Sequence, residues 1–63
     1  MAKKRANIEA KSLLGVLLAD GIGNTFRIKE YKNERFYVKI NENQGTGFFE
    51  KQYLENELNI RIV

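Results

Sequence analysis

This sequence predicts a single, mainly β domain, either a small barrel or a strongly bent sheet, led by a basic N-terminal arm. Three observations point there. Residues 25–31 and 35–40 each alternate apolar and polar side chains, the period of a half-buried strand. Polar stretches rich in Gly, Asn and Asp separate the runs at 20–24, 32–34 and 41–46. The chain has 63 residues, enough for one core only. The predicted division is an arm over 1–11 and one β-rich domain over 12–63. The competing architecture is α+β, with a helix over 7–19 packed on the β-hairpin and a second helix at 50–58.

Composition narrows how so small a domain can hold together. There is no cysteine and no histidine, which removes disulfides and the usual nitrogen and sulfur metal ligands. Oligomerisation is the remaining staple. The net charge is +3, and Lys3, Lys4 and Arg5 account for it; the rest of the chain is balanced. The basic character therefore belongs to the arm, which suits contact with phosphates or anionic surfaces.

Taken in order, the elements begin with the arm. Within 1–11, Asn7 with Glu9 reads as the start of a short helix, and Ile8 with Ala10 equally as the start of a strand. Residues 12–19, SLLGVLLA, form the most apolar run. Gly15 tips this run towards strand, because glycine mid-helix costs about 1 kcal/mol relative to alanine. As a strand it would carry Leu14, Val16 and Leu18 on one face and Leu13, Leu17 and Ala19 on the other. Residues 20–24 are a turn. In the hairpin beyond it, Phe26 and Ile28 should face one way and Arg27, Lys29 and Tyr31 the other. On its second strand Phe36, Val38 and Ile40 should face inward, and Arg35, Tyr37 and Lys39 outward. A second turn leads to a short strand at 47–49, whose two rings must face opposite sides. Residues 50–58 suit one helical turn or a short helix ending at Asn59, and the β-branched 60–63 read as a closing strand.

Phe36-Tyr37-Val38-Lys39-Ile40, then Gly45-Thr46-Gly47-Phe48-Phe49, then Tyr53-Leu54 and the closing strand resemble the second half of SH3-like barrels. SH3 domains bind proline-rich peptides in an aromatic groove. Tyr53 matches that groove, while its tryptophan and proline have no counterpart here. A second likeness lies in Lys3-Lys4, Ile8-Glu9 and 24–28, which are similar to the first hairpin of the OB-fold bacterial translation initiation factor one; that implies RNA contact through a barrel face. Taken whole, the sequence resembles a small protein family of SPbeta-type Bacillus prophages. This implies a phage-encoded protein of the bacterial cytoplasm and brings no activity with it.

The functional classes separate on chemistry. Catalysis is the least supported: histidine is absent, and Glu50, Glu55 and Glu57 share a charged stretch with Lys51. No catalytic, cofactor-binding or metal-ligating residue is predicted, nor a small-molecule ligand. Residues 13–19 are too short for a signal-peptide core, and no run reaches the ~20 apolar residues of a membrane span. The expected location is cytoplasmic, without a membrane partner. Self-association is the first expectation, since Leu13, Leu14, Val16, Leu17 and Leu18 offer more apolar surface than one sheet face takes up. The closing strand offers a further edge for a second copy. The alternative is nucleic-acid binding through Arg27, Lys29, Tyr31, Arg35, Tyr37 and Lys39 on the outer hairpin face, helped by Lys3, Lys4 and Arg5. Basic and aromatic side chains interleaved on a sheet neutralise phosphates while bases stack.

Overall fold

The computed structural model describes residues 5–63; Lys3 and Lys4 lie outside the described residues. In chain order the elements are β1 (Ala6–Ile8), one turn of 3-10 helix (Ala10–Leu13), β2 (Leu17–Ala19), β3 (Thr25–Lys32), β4 (Arg35–Ile40), β5 (Gly45–Glu50), α1 (Lys51–Leu58) and β6 (Ile60–Ile62). Strands β2-β3-β4-β5 form one bent antiparallel sheet, and β1 with β6 a separate parallel pair. Among the described residues the sheet keeps two edges, β2 and β5, and no barrel closes.

The hairpin forms where alternation places it. Strands β3 and β4 join through Asn33 and Glu34, both left-handed at φ 52° and 60°. Two successive left-handed residues match the twist of the flanking strands. Phe26 pairs with Ile40 and Ile28 with Val38, but beyond Ile28 the register shifts, and Glu30 stands opposite Tyr37. Lys29 is thus the extra residue of a β-bulge. One extra residue reverses which face the later side chains take. Tyr31 therefore turns inward beside Phe36, with ring centroids 4.5 Å apart, and packs on the core. This corrects the outward placement expected for Tyr31.

The segment before the hairpin also departs from expectation. Neither a helix over 7–19 nor a strand over 12–19 forms. Gly15 has φ +86°, which ends helix and strand alike. Its N–H donates to the Ile28 carbonyl at 2.6 Å, and the Ile28 N–H donates to the Val16 carbonyl at 2.9 Å. The run is thereby tied to β3 before β2 begins at Leu17. The arm is shorter than expected, because Ala6–Ile8 is already strand, in register with Ile60–Ile62. The turn at 20–24 is built by Asp20: its Oδ1 accepts the N–H groups of Ile22 (2.8 Å) and Asn24 (3.1 Å), and its Oδ2 accepts the Asn24 Nδ2 (2.8 Å).

Strand β5 starts earlier than its aromatic pair suggested, at Gly45, and α1 continues from it without a break. Asn59 ends α1 in the left-handed conformation at φ 55°, its N–H returning to the Glu55 carbonyl. Glu55 Oε2 accepts the Ile62 N–H at 2.8 Å, holding β6 against α1. On the inner side of the sheet, Ile28, Phe36 and Val38 meet Leu13, Leu54 and Ile62; these six are the buried core. One face of the sheet is thus covered by the 3-10 turn, α1 and the β1-β6 pair. The other face carries the site.

Candidate nucleic-acid interface

The uncovered face is set by register. Arg27 stands opposite Lys39 and Lys39 opposite Thr46; Glu30 stands opposite Tyr37 and Tyr37 opposite Phe48; Lys32 stands opposite Arg35 and Arg35 opposite Glu50. Alternation fixes the parity: Ile28, Phe36 and Val38 are buried, so these neighbours lie on the opposite side. Lys29 and Glu30 of the bulge both border this face. They line a hollow of about 440 Å³ with Tyr37, Lys39, Thr46 and Phe48.

The aromatic centre is the Tyr37–Phe48 cross-strand pair, with centroids 6.0 Å apart. Phe48 is 47% exposed, a high value for a ring on a strand. The Arg35 guanidinium carbon lies 4.6 Å from the Phe48 ring centroid, a cation-π contact that keeps the charge beside the ring. Among the described residues, Lys29, Lys32, Arg35 and Lys39 have no carboxylate within 4 Å. All four are exposed. Arg27 is otherwise engaged: Nη1 donates to the Gly15 carbonyl at 2.9 Å, and Nη2 sits 3.7 Å from Glu42 Oε1. It ties the Gly15 turn to the sheet.

The structure brings Arg27, Lys29, Arg35, Tyr37 and Lys39 onto one face, as the alternation predicts, and removes Tyr31. Arg5 is elsewhere: its Nη2 donates to Asn56 Oδ1 of α1 at 3.5 Å, on the covered side. Three contributors lie beyond the predicted set. Phe48 and Thr46 can be deduced from the inward Phe49, since period two sends their side chains to the opposite face. Lys32 reads in the sequence as part of the turn, and the bulge carries it outward. Tyr53, the residue matching the peptide groove of SH3 domains, belongs to the covered side. It stacks on Phe49 at 5.5 Å and donates to Glu57 Oε1 at 3.3 Å. The Glu57 carboxylate, together with partial desolvation and that hydrogen bond, raises the Tyr53 phenol above its ordinary value.

The predicted oligomer patch does not assemble. Leu13 is 8% exposed and belongs to the core, while Val16 and Leu18 pack against it. Leu14 borders a different hollow, beside Tyr31 and Val63, and Leu17 stands opposite Arg27 on the uncovered face. The bend at Gly15 is what separates them. Nor is β6 a lone closing strand: β1 occupies one of its edges.

Among the described residues no three acidic side chains converge as metal ligands would, and no helix is long and apolar enough to cross a membrane. Comparison with protein-family models, with curated proteins and with solved structures finds no match.

Proposed function

We propose that this chain acts by binding rather than catalysis, and that the uncovered face of its sheet receives single-stranded nucleic acid. The observation that carries the reading is the Tyr37–Phe48 pair on the uncovered face, a half-buried ring beside an exposed one, ringed by exposed Lys29, Lys32, Arg35 and Lys39. Rings that lie open on a sheet offer stacking surface to unpaired bases, worth roughly 1–3 kcal/mol per base. Ammonium and guanidinium groups without a carboxylate partner suit phosphates. A single strand fits better than a duplex, because a base must leave its stack to meet a ring on a sheet. Glu30 and Glu50 share the face and confine phosphate contact to the line from Lys29 through Lys39 and to Lys32 and Arg35.

The sequence resemblance to prophage proteins supports reading it as a phage-encoded accessory factor that works in the bacterial cytoplasm. Self-association belongs to the same reading, because a core of six buried residues gains from a second copy.

Fluorescence anisotropy with labelled single-stranded DNA and RNA, at low and moderate salt, tests the site. Affinity should fall with salt. Tyr37→Ala should weaken binding by roughly 1–3 kcal/mol. Lys29→Ala should flatten the log–log salt slope by about 0.7, one phosphate contact on a single strand. Absent binding, or binding that salt leaves unchanged, overturns the proposal.

A further inference from the structure

Strand β5 is the long open edge of the sheet. It pairs with β4 alone among the described residues and runs from Gly45 to Glu50, whereas the opposite edge, β2, has three residues. Exposed edges are ordinarily blunted by proline, by lysine, by a bulge or by an inward-pointing charge. β5 has no proline, lysine, bulge or inward charge: its sequence is GTGFFE, its one charged residue, Glu50, stands at its end, and its pairing with β4 runs without a shift.

The Lys51 N–H donates to the Glu34 carbonyl at 2.9 Å, one step beyond the Arg35–Glu50 pair. In an antiparallel ladder such bonds alternate. Phe49, Gly47 and Gly45 therefore turn their N–H and carbonyl groups to β4. Thr46, Phe48 and Glu50 turn theirs to the open edge.

From this geometry we infer that β5 is the interface for a second copy of the chain, paired antiparallel about Phe48. A two-fold axis perpendicular to the sheet makes one residue its own partner and keeps both uncovered faces on the same side. Centring on Phe48 sets Thr46 opposite the second copy's Glu50, so all three outward-facing residues find backbone partners. Side chains agree on both faces. On the inner face Phe49, stacked on Tyr53 and edge-on to Phe26 of its own chain, stands opposite the second copy's Gly47, which sets no side chain against it. On the outer face Glu50 comes to lie between its own chain's Arg35 and the second copy's Lys39, which the register sets beyond Thr46. Each contact occurs twice by symmetry. A domain with no disulfide and so small a core has reason to use such an edge. The dimer stands whether or not the uncovered face binds nucleic acid.

Light scattering on the unmodified chain should give twice the 7.3 kDa chain mass at tens of micromolar, and Thr46→Pro should reduce it to the monomer. Proline at 46 removes a donor on the open edge and leaves the β4 ladder intact. Amide hydrogen exchange on the unmodified chain gives a second readout that requires no variant. The Thr46, Phe48 and Glu50 amides should exchange as slowly as amides within β4. A monomer, or a dimer in which these three amides exchange as fast as those of the 20–24 turn, overturns the inference.

Discussion

Asp20 shows how much one exposed side chain organises here. It closes a turn of two glycines by accepting three hydrogen bonds, and the Ile22 N–H, foremost among them, with the Asn24 side chain next, holds its carboxyl below the ordinary value. That direction sets the sign of the pH effect. A carboxyl whose folded pKa is depressed contributes stability above its unfolded pKa, about 3.9, and loses that contribution as pH falls through the folded value. Asp20→Asn should therefore melt at a temperature less sensitive to acid than the unmodified chain between neutral pH and about pH 2. Thermal melts of both proteins at the two pH values check this; equal acid sensitivity would show the turn to be held by other groups. At this scale the sequence was readable. Asp, Asn and two glycines in five residues announce a turn, and Asn59 announces a helix end, because each tolerates or builds a backbone shape that few residues do.

Among elements, legibility depended on whether the pattern was local. The hairpin was evident because both strands show period two and the turn is short. The Lys29 bulge was not, since an extra residue in a strand leaves the composition unchanged and alters only the faces of the residues after it. That one residue decides the faces of Tyr31 and Lys32. Deleting Lys29 should close the bulge and make the ladder regular, with Glu30 still opposite Tyr37 and Tyr31 still inward beside Phe36. Tyr31→Ala, by contrast, should cost about 2–4 kcal/mol, from lost aromatic burial and the lost ring pair. A urea unfolding midpoint that falls further on deleting Lys29 than on truncating Tyr31 would contradict this. Residues 12–19 were illegible for a different reason. Their apolar run suits strand, helix or interface, and the choice rests on Gly15, whose positive φ bends the chain so that Leu13 enters the core while Leu14 and Leu17 stay half exposed. Likewise the alternation of 60–62 announced a strand but not its partner; parallel pairing with β1 depends on contacts more than fifty residues apart.

For the whole molecule, the division of labour lies across the sheet. One side is spent on a core of six buried residues, and the other stays open with aromatic and basic side chains in register. The candidate site was legible as far as β3 and β4 carry it, because outward positions are fixed by inward ones. Its third strand was hidden because the lead-in Gly45 and Thr46 read as turn. If β5 joins two copies, the two open faces become one, and the row Tyr37–Phe48 continues into its symmetry mate.

Amide chemical-shift mapping of the unmodified chain with a short single-stranded oligonucleotide shows whether the open face is the binding surface. The shifts should gather on Lys29, Arg35, Tyr37, Lys39, Thr46 and Phe48, and weaken together as salt rises. Shifts confined to α1, β1 and β6, or none at all, would contradict it.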